Sequence, residues 1–169
     1  MHFYTEQTKY LVAVDCVVFG YEAGELKLLL YPRAFEPVKG SWSLMGGFIR
    51  PSESADEAAC RVLNQTTGLD QIFLEQVGTF SDPGREDVER VISVAFFALI
   101  PIDRYQKERA QKFGARWWPF SGLPRLIFDH EQMIKQALNK LQEKAGNTLV
   151  GSELLPAKFS LLQLRKLYE

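Results

Sequence analysis

The feature that most constrains this chain is a glycine pair, Gly46 and Gly47, which closes the run WSLMGG just before a helix with its own start and stop. Paired glycines let the backbone turn tightly where side chains would block it. Ser52 or Ser54 is placed to cap a helix over 54–67, and Gly68 is placed to end it. Strands flank this unit. Residues 10–19 (YLVAVDCVVF) are apolar and β-branched, Gly20 and Gly24 break the next stretch, and LKLLLY resumes as a second strand. Further strands are expected over 72–80, 91–100 and 115–120, with an amphipathic helix over 129–144. Strands alternating with two helices imply an α/β fold, a mixed β-sheet sandwiched between helices. At 169 residues the chain suits one such domain with little left over.

Charge narrows the function classes. The formal net charge is −1, with acids and bases interspersed, so no arm of like charge marks a nucleic-acid or membrane surface. The N-terminal MHFYTEQTKY has no apolar signal stretch and no run reaches membrane-span length, so the cytoplasm is the expected compartment. Both cysteines, Cys16 and Cys60, sit in apolar runs and read as buried free thiols of a reducing compartment.

Spacing around the helix carries the chemistry. Glu53 lies six positions after Gly47, Arg61 eight beyond that, and Gly68-Leu69 close the pattern. This skeleton resembles the Nudix box, and WSLMGG resembles its lead-in, with Met45 where proline is common. The resemblance implies the Nudix fold and, in its enzymes, cleavage of diphosphate linkages with a divalent metal held by helix glutamates. Carboxylates three and four apart share a helix face and can cage such a metal. Here those positions hold Val62, Gln65 and Thr66. Val62 instead completes an apolar stripe with Ala55, Ala59 and Leu63. Glu57, four before Arg61, is placed to pair with it, and Glu53 with Arg61 reads as a loop-to-helix tether more than a metal site. The expectation is a domain with no catalytic residue, no metal and no cofactor, in which Gly47, Glu53, Arg61 and Gly68 are the remains of a degenerate box.

The stretches EQVGTFSDPGREDVERVISVAFFALIP, ARWWPF and LPRLIFDHEQMIKQAL are similar to those of Nudix-related transcriptional regulators. In that family a Nudix-like domain senses a small-molecule effector and a C-terminal winged helix binds operator DNA as a homodimer. The resemblance implies a sensing domain over 1–147 and, over 148–169, a linker with the first helix of a truncated winged-helix domain. Ser160 is a good cap there, Leu161, Leu164 and Tyr168 recur at helical spacing, and Lys158, Arg165 and Lys166 add local positive charge. One branch of the family answers to ADP-ribose and another to free sugars. The texture of LLLYPRAFEPVKGSWSLMGGF resembles the arabinose-type branch, which makes a sugar the expected effector and ADP-ribose the alternative, with a Nudix hydrolase using displaced metal ligands behind both.

Six residues are candidates for the ligand pocket. Asp15 lies mid-strand, where a charge needs either a structural hydrogen bond or a polar cavity. Arg33 and Glu36 flank the loop leading to Trp42, which would serve as core or as a stacking platform. Arg85 and Arg90, with Asp82, bracket a polar loop that is solvated or functional. Asp129 is a candidate N-cap and His130 a pin for the last long helix.

Overall fold

The structure, a computed structural model, describes residues 4–103 and 107–147. Its elements in order are β1 (Leu11–Glu22), β2 (Glu25–Pro32), β3 (Trp42–Ser43), β4 (Met45–Phe48), α1 (Ala55–Thr67), β5 (Phe73–Phe80), β6 (Val91–Leu99), α2 (Lys107–Lys112), β7 (Arg116–Pro119) and α3 (His130–Asn147). The strands and helices expected from periodicity are present, and the result is the mixed sheet flanked by helices. The short helix α2 is an addition. The expected winged-helix segment over 148–169 lies outside the described residues. No described helix is long and apolar enough to cross a membrane.

β1 is the spine. One edge pairs in parallel with β6 from Leu11 to Phe19. The other edge changes partner: Ala13–Cys16 pair antiparallel with β4, and Val18–Glu22 pair antiparallel with β2. The period of two along β1 then sorts its side chains. Val14, Cys16 and Val18 enter one core with Ala59, Val62 and Leu63 of α1. Val17, Phe19 and Tyr21 enter the opposite core with Met133, Ile134 and Ala137 of α3. Parity puts Asp15 on the α3 face, and Ser93 of β6 lies on that face with Ala95 and Phe97.

Three expectations are corrected. Gly20 does not break β1, which runs on to Glu22. It stays in the strand because a Cβ there would meet Ile102 and Trp117 at 2.6 Å, so its role is close packing. The reversal falls at Ala23 (φ 54°) and Gly24 (φ 85°), the two left-handed residues of a tight hairpin. Cys60 is exposed, since the inward stripe of α1 is Ala58, Ala59, Val62, Leu63, Thr66 and Thr67. Glu57 does not pair with Arg61. Its carboxylate accepts from the Ser54 N–H at 2.7 Å while the Ser54 hydroxyl accepts from the Glu57 N–H, a capping box.

Candidate functional site

The site is built where β1 exchanges β4 for β2. The diverging strands leave a small chamber of about 40 Å³, lined by Asp15, Tyr31, Arg33, Gly46, Glu86 and His130 among others. Beside it a cleft of about 920 Å³ opens between Trp42, the loop carrying Asp82–Asp87 and the start of α3. Phe128 lines both.

Asp15 closes the floor of the chamber. It is 8% exposed and accepts from the Ser93 hydroxyl at 2.6 Å. The backbone of Gly46 passes so close that a Cβ there would strike the carboxylate, which explains the first glycine of the pair. Both readings of Asp15 therefore hold together: a structural hydrogen bond and a polar cavity. His130 stands 3.6 Å away through Nε2. Its Nδ1 accepts from the Leu44 N–H at 3.2 Å, so the neutral ring carries its proton on Nε2, facing Asp15. Burial pushes the His130 pKa down, and Asp15 and Asp129 only partly oppose this. His130 thus pins α3 to the β3–β4 junction.

Arg85 was the loop residue expected to be solvated or functional. It is buried, 7% exposed, because the β5–β6 loop folds back against the start of α3. Its Nε and Nη2 donate to Asp129 at 3.0 and 2.8 Å, Nη1 donates to Glu86 at 3.0 Å, and Asp15 lies 3.8 Å from Nη2. Burial opposes the charge, yet Asp129, Asp15 and Glu86 together raise the Arg85 pKa above its ordinary value. Burial also pushes Glu86 up, with Arg85 and Arg33 opposing. The Asp129 carboxylate is therefore the partner of Arg85, and its cap contribution comes from the main chain, whose carbonyl accepts from the N–H groups of Gln132 and Met133.

Arg33 is different. Its guanidinium lies 4.3 Å from the Phe35 ring centroid and 5.1 Å from that of Phe128, and Nε donates to the Phe35 carbonyl at 3.1 Å. Among the described residues no carboxylate forms an ion pair with it. A cation held by rings, whose one hydrogen bond among the described residues is made through Nε, is placed to meet an anionic ligand. Trp42 lines the large cleft while packing edge-on to Trp118 at 5.1 Å, so it is both core margin and cleft wall. Glu36 and Arg90 fall outside the lining of both cavities. Glu36 is exposed, and the Arg90 guanidinium sits 5.5 Å from the Tyr10 ring. Sequence reasoning missed Phe128 and Glu86 of the chamber lining and Arg125, which lines the large cleft. The left-handed φ of 50° at Phe128 has no sequence signal, since aromatics rarely adopt it.

The degenerate box is a structural unit. Arg61 donates to both Glu53 oxygens, at 2.9 and 2.6 Å, and to the Phe48 carbonyl at 3.1 Å. Arg61 and the Arg50 N–H hold the Glu53 pKa down to about 2. A divalent metal would need carboxylates from α1. Val62 is buried, and its Cγ2 lies 3.1 Å from where a Cβ on Gly47 would stand. Thr66 is buried with its hydroxyl donating to the Val62 carbonyl at 2.9 Å, and Gln65 is exposed. These residues do not fit a metal. No group of three or more His, Cys, Asp or Glu able to hold one occurs among the described residues.

Comparison with known proteins places this geometry. The family model described as the NUDIX domain matches residues 9–137. The chain is 32% identical over 163 residues to the ADPR responsive transcriptional repressor NtrR of Acinetobacter baylyi, covering 94% of this chain and 65% of that protein. It therefore spans about two thirds of that relative's length. It is 35% identical over 124 residues to the ADP-ribose pyrophosphatase of Methanocaldococcus jannaschii, covering 73% of this chain and 70% of that protein. Among solved structures, Shewanella oneidensis NrtR complexed with a 27mer DNA superposes with a TM-score of 0.85 at 33% identity, over 93% of this chain and 74% of that one. The NUDIX domain of the same protein complexed with ADP ribose gives 0.69 at 32% identity, over 80% and 91%.

Proposed function

The chain belongs to the NUDIX domain family, and from that premise we propose that it is the non-catalytic, ADP-ribose-sensing part of a DNA-binding transcriptional repressor. The observation that carries this reading is the packing of Val62 against Gly47, where an active box would place a metal-binding glutamate. A diphosphate bound without metal needs another cation, and Arg33 offers one that forms no ion pair with a carboxylate among the described residues.

The relatives reported above favour ADP-ribose over the arabinose-type sugar expected from sequence texture. In this reading the effector controls operator binding by the complete homodimeric regulator. The sensing function is tested by calorimetry and thermal shift with ADP-ribose beside L-arabinose. ADP-ribose at about a hundred times Kd adds about 2.7 kcal/mol of apparent stability, and arabinose adds none. Stabilisation by arabinose alone would restore the sugar reading.

A hydrolase is the second reading, favoured by the identity to the M. jannaschii pyrophosphatase. It requires metal-dependent release of AMP and ribose 5-phosphate, which chromatography of the same mixtures reads directly.

A further inference from the structure

We infer that Phe128 is a strained latch through which an anion bound at Arg33 acts on the N-terminal end of α3. This rests on the reading that the site takes a diphosphate, and goes beyond it by naming how occupancy leaves the site.

Phe128 holds φ at 50°, a conformation costly for a bulky residue and kept only where surroundings enforce it. The enforcing contacts lie on both sides. Its ring takes the Arg33 guanidinium at 5.1 Å and meets the His130 imidazole edge-on at 5.9 Å. The next two residues are fixed in opposite directions, Asp129 to Arg85 of the β5–β6 loop and His130 to the Leu44 N–H of the sheet. The residue that lines both cavities thus stands two positions before the start of α3, with only Asp129 between.

The consequence follows from competition for one cation. A phosphate that pairs with Arg33 draws the guanidinium from the Phe128 ring, since a charge pair outweighs a ring contact. Without that contact, less opposes relaxation of the backbone at 128. Relaxation there moves Asp129 and His130, whose bonds set where α3 begins. A ligand lacking phosphate fills the cleft beside Trp42 and leaves the latch closed.

Amide hydrogen exchange of the full chain tests this, with ADP-ribose, inorganic pyrophosphate and adenosine as probes. In the wild type the two phosphate probes change exchange in the first turns of α3 and in the 82–87 loop by roughly fivefold or more, and adenosine does not. Phe128→Gly, which accepts the left-handed backbone without strain, is compared at probe concentrations that calorimetry shows to saturate it and gives less than about a twofold response. Phe128→Leu keeps the backbone cost, loses the ring and is also unresponsive. Phosphate probes bound with unchanged α3 exchange, or a full response in Phe128→Gly, would overturn the latch alone. Pyrophosphate binding without ADP-ribose binding would overturn the ADP-ribose reading and leave the latch to be judged on pyrophosphate. A chain that bound neither would overturn both.

Discussion

Asp129 grips Arg85 with both carboxylate oxygens, at 2.8 and 3.0 Å, and the arginine so held is almost wholly buried. The pair joins the β5–β6 loop to the residue that precedes α3. Removing one partner leaves a charge in low dielectric, which costs more than the pair is worth intact. Asp129→Ala is expected to destabilise by about 2–3 kcal/mol, below the usual buried-pair loss because Glu86 and Asp15 still face Arg85. The double variant Arg85→Met/Asp129→Leu should lose less than the sum of the single changes. Urea midpoints decide it, and additive losses would show that the two residues act separately.

His130 supplies a pH dependence of known sign. Its folded pKa lies below the ordinary value, because burial disfavours the charged ring. The unfolded chain therefore binds the proton more readily than the folded one. Stability from this residue is full above the unfolded value near 6.5 and falls as pH drops toward the folded one. His130→Asn keeps an acceptor for the Leu44 N–H and should flatten melting temperature in that window. His130→Leu strands the N–H and should cost about 1–3 kcal/mol at every pH.

Glu53 acts lower on the pH scale. Its carboxyl is held near 2 by Arg61, against an ordinary 4.5, so its contribution is present above pH 4.5 and lost as pH falls toward 2. Thermal melts of Glu53→Gln should run below the wild type at neutral pH and converge with it near pH 2. A constant offset between the curves would remove the tether from acid denaturation.

The sequence displayed what depends on period and on local breakers, and hid what depends on tertiary approach. The apolar, β-branched run YLVAVDCVVF sufficed to mark β1, and Ser54 with Gly68 marked α1. Gly20 was misread because a glycine kept for close packing looks the same as one kept for a turn. Arg85 looked solvated because its loop is polar, and only the fold-back against α3 buries it. Glu36 shares the Arg33 loop yet is exposed and lines neither cavity, a choice that spacing does not encode.

Trp42 tests the cleft. Its indole walls the large cavity and packs edge-on to Trp118, so Trp42→Ala should remove ADP-ribose stabilisation and lower the melting temperature modestly. An aromatic pair of this kind adds about 0.5–1.5 kcal/mol beyond area burial. Trp42→Phe should recover part of both. Ligand stabilisation retained in full by Trp42→Ala would exclude the cleft from the effector site.

Val62 decides between sensor and hydrolase. Its methyl group rests on Gly47, so the position that would carry a metal ligand is part of the packed face shared with Ala59 and Leu63. The wild type should release no AMP from ADP-ribose above background with Mg²⁺ or Mn²⁺. Val62→Glu alone buries a carboxylate without a partner, which should cost roughly 2 kcal/mol or more. Adding Gln65→Glu and Thr66→Glu places three acids on one turn, where repulsion worsens the loss until a divalent ion is supplied. The triple variant should therefore be the less stable protein in chelator and recover stability with Mn²⁺, a response the wild type lacks. Turnover by the wild type that rises with Mn²⁺ and disappears in Glu53→Gln would mean that a metal is held outside these positions, and the sensor reading would give way.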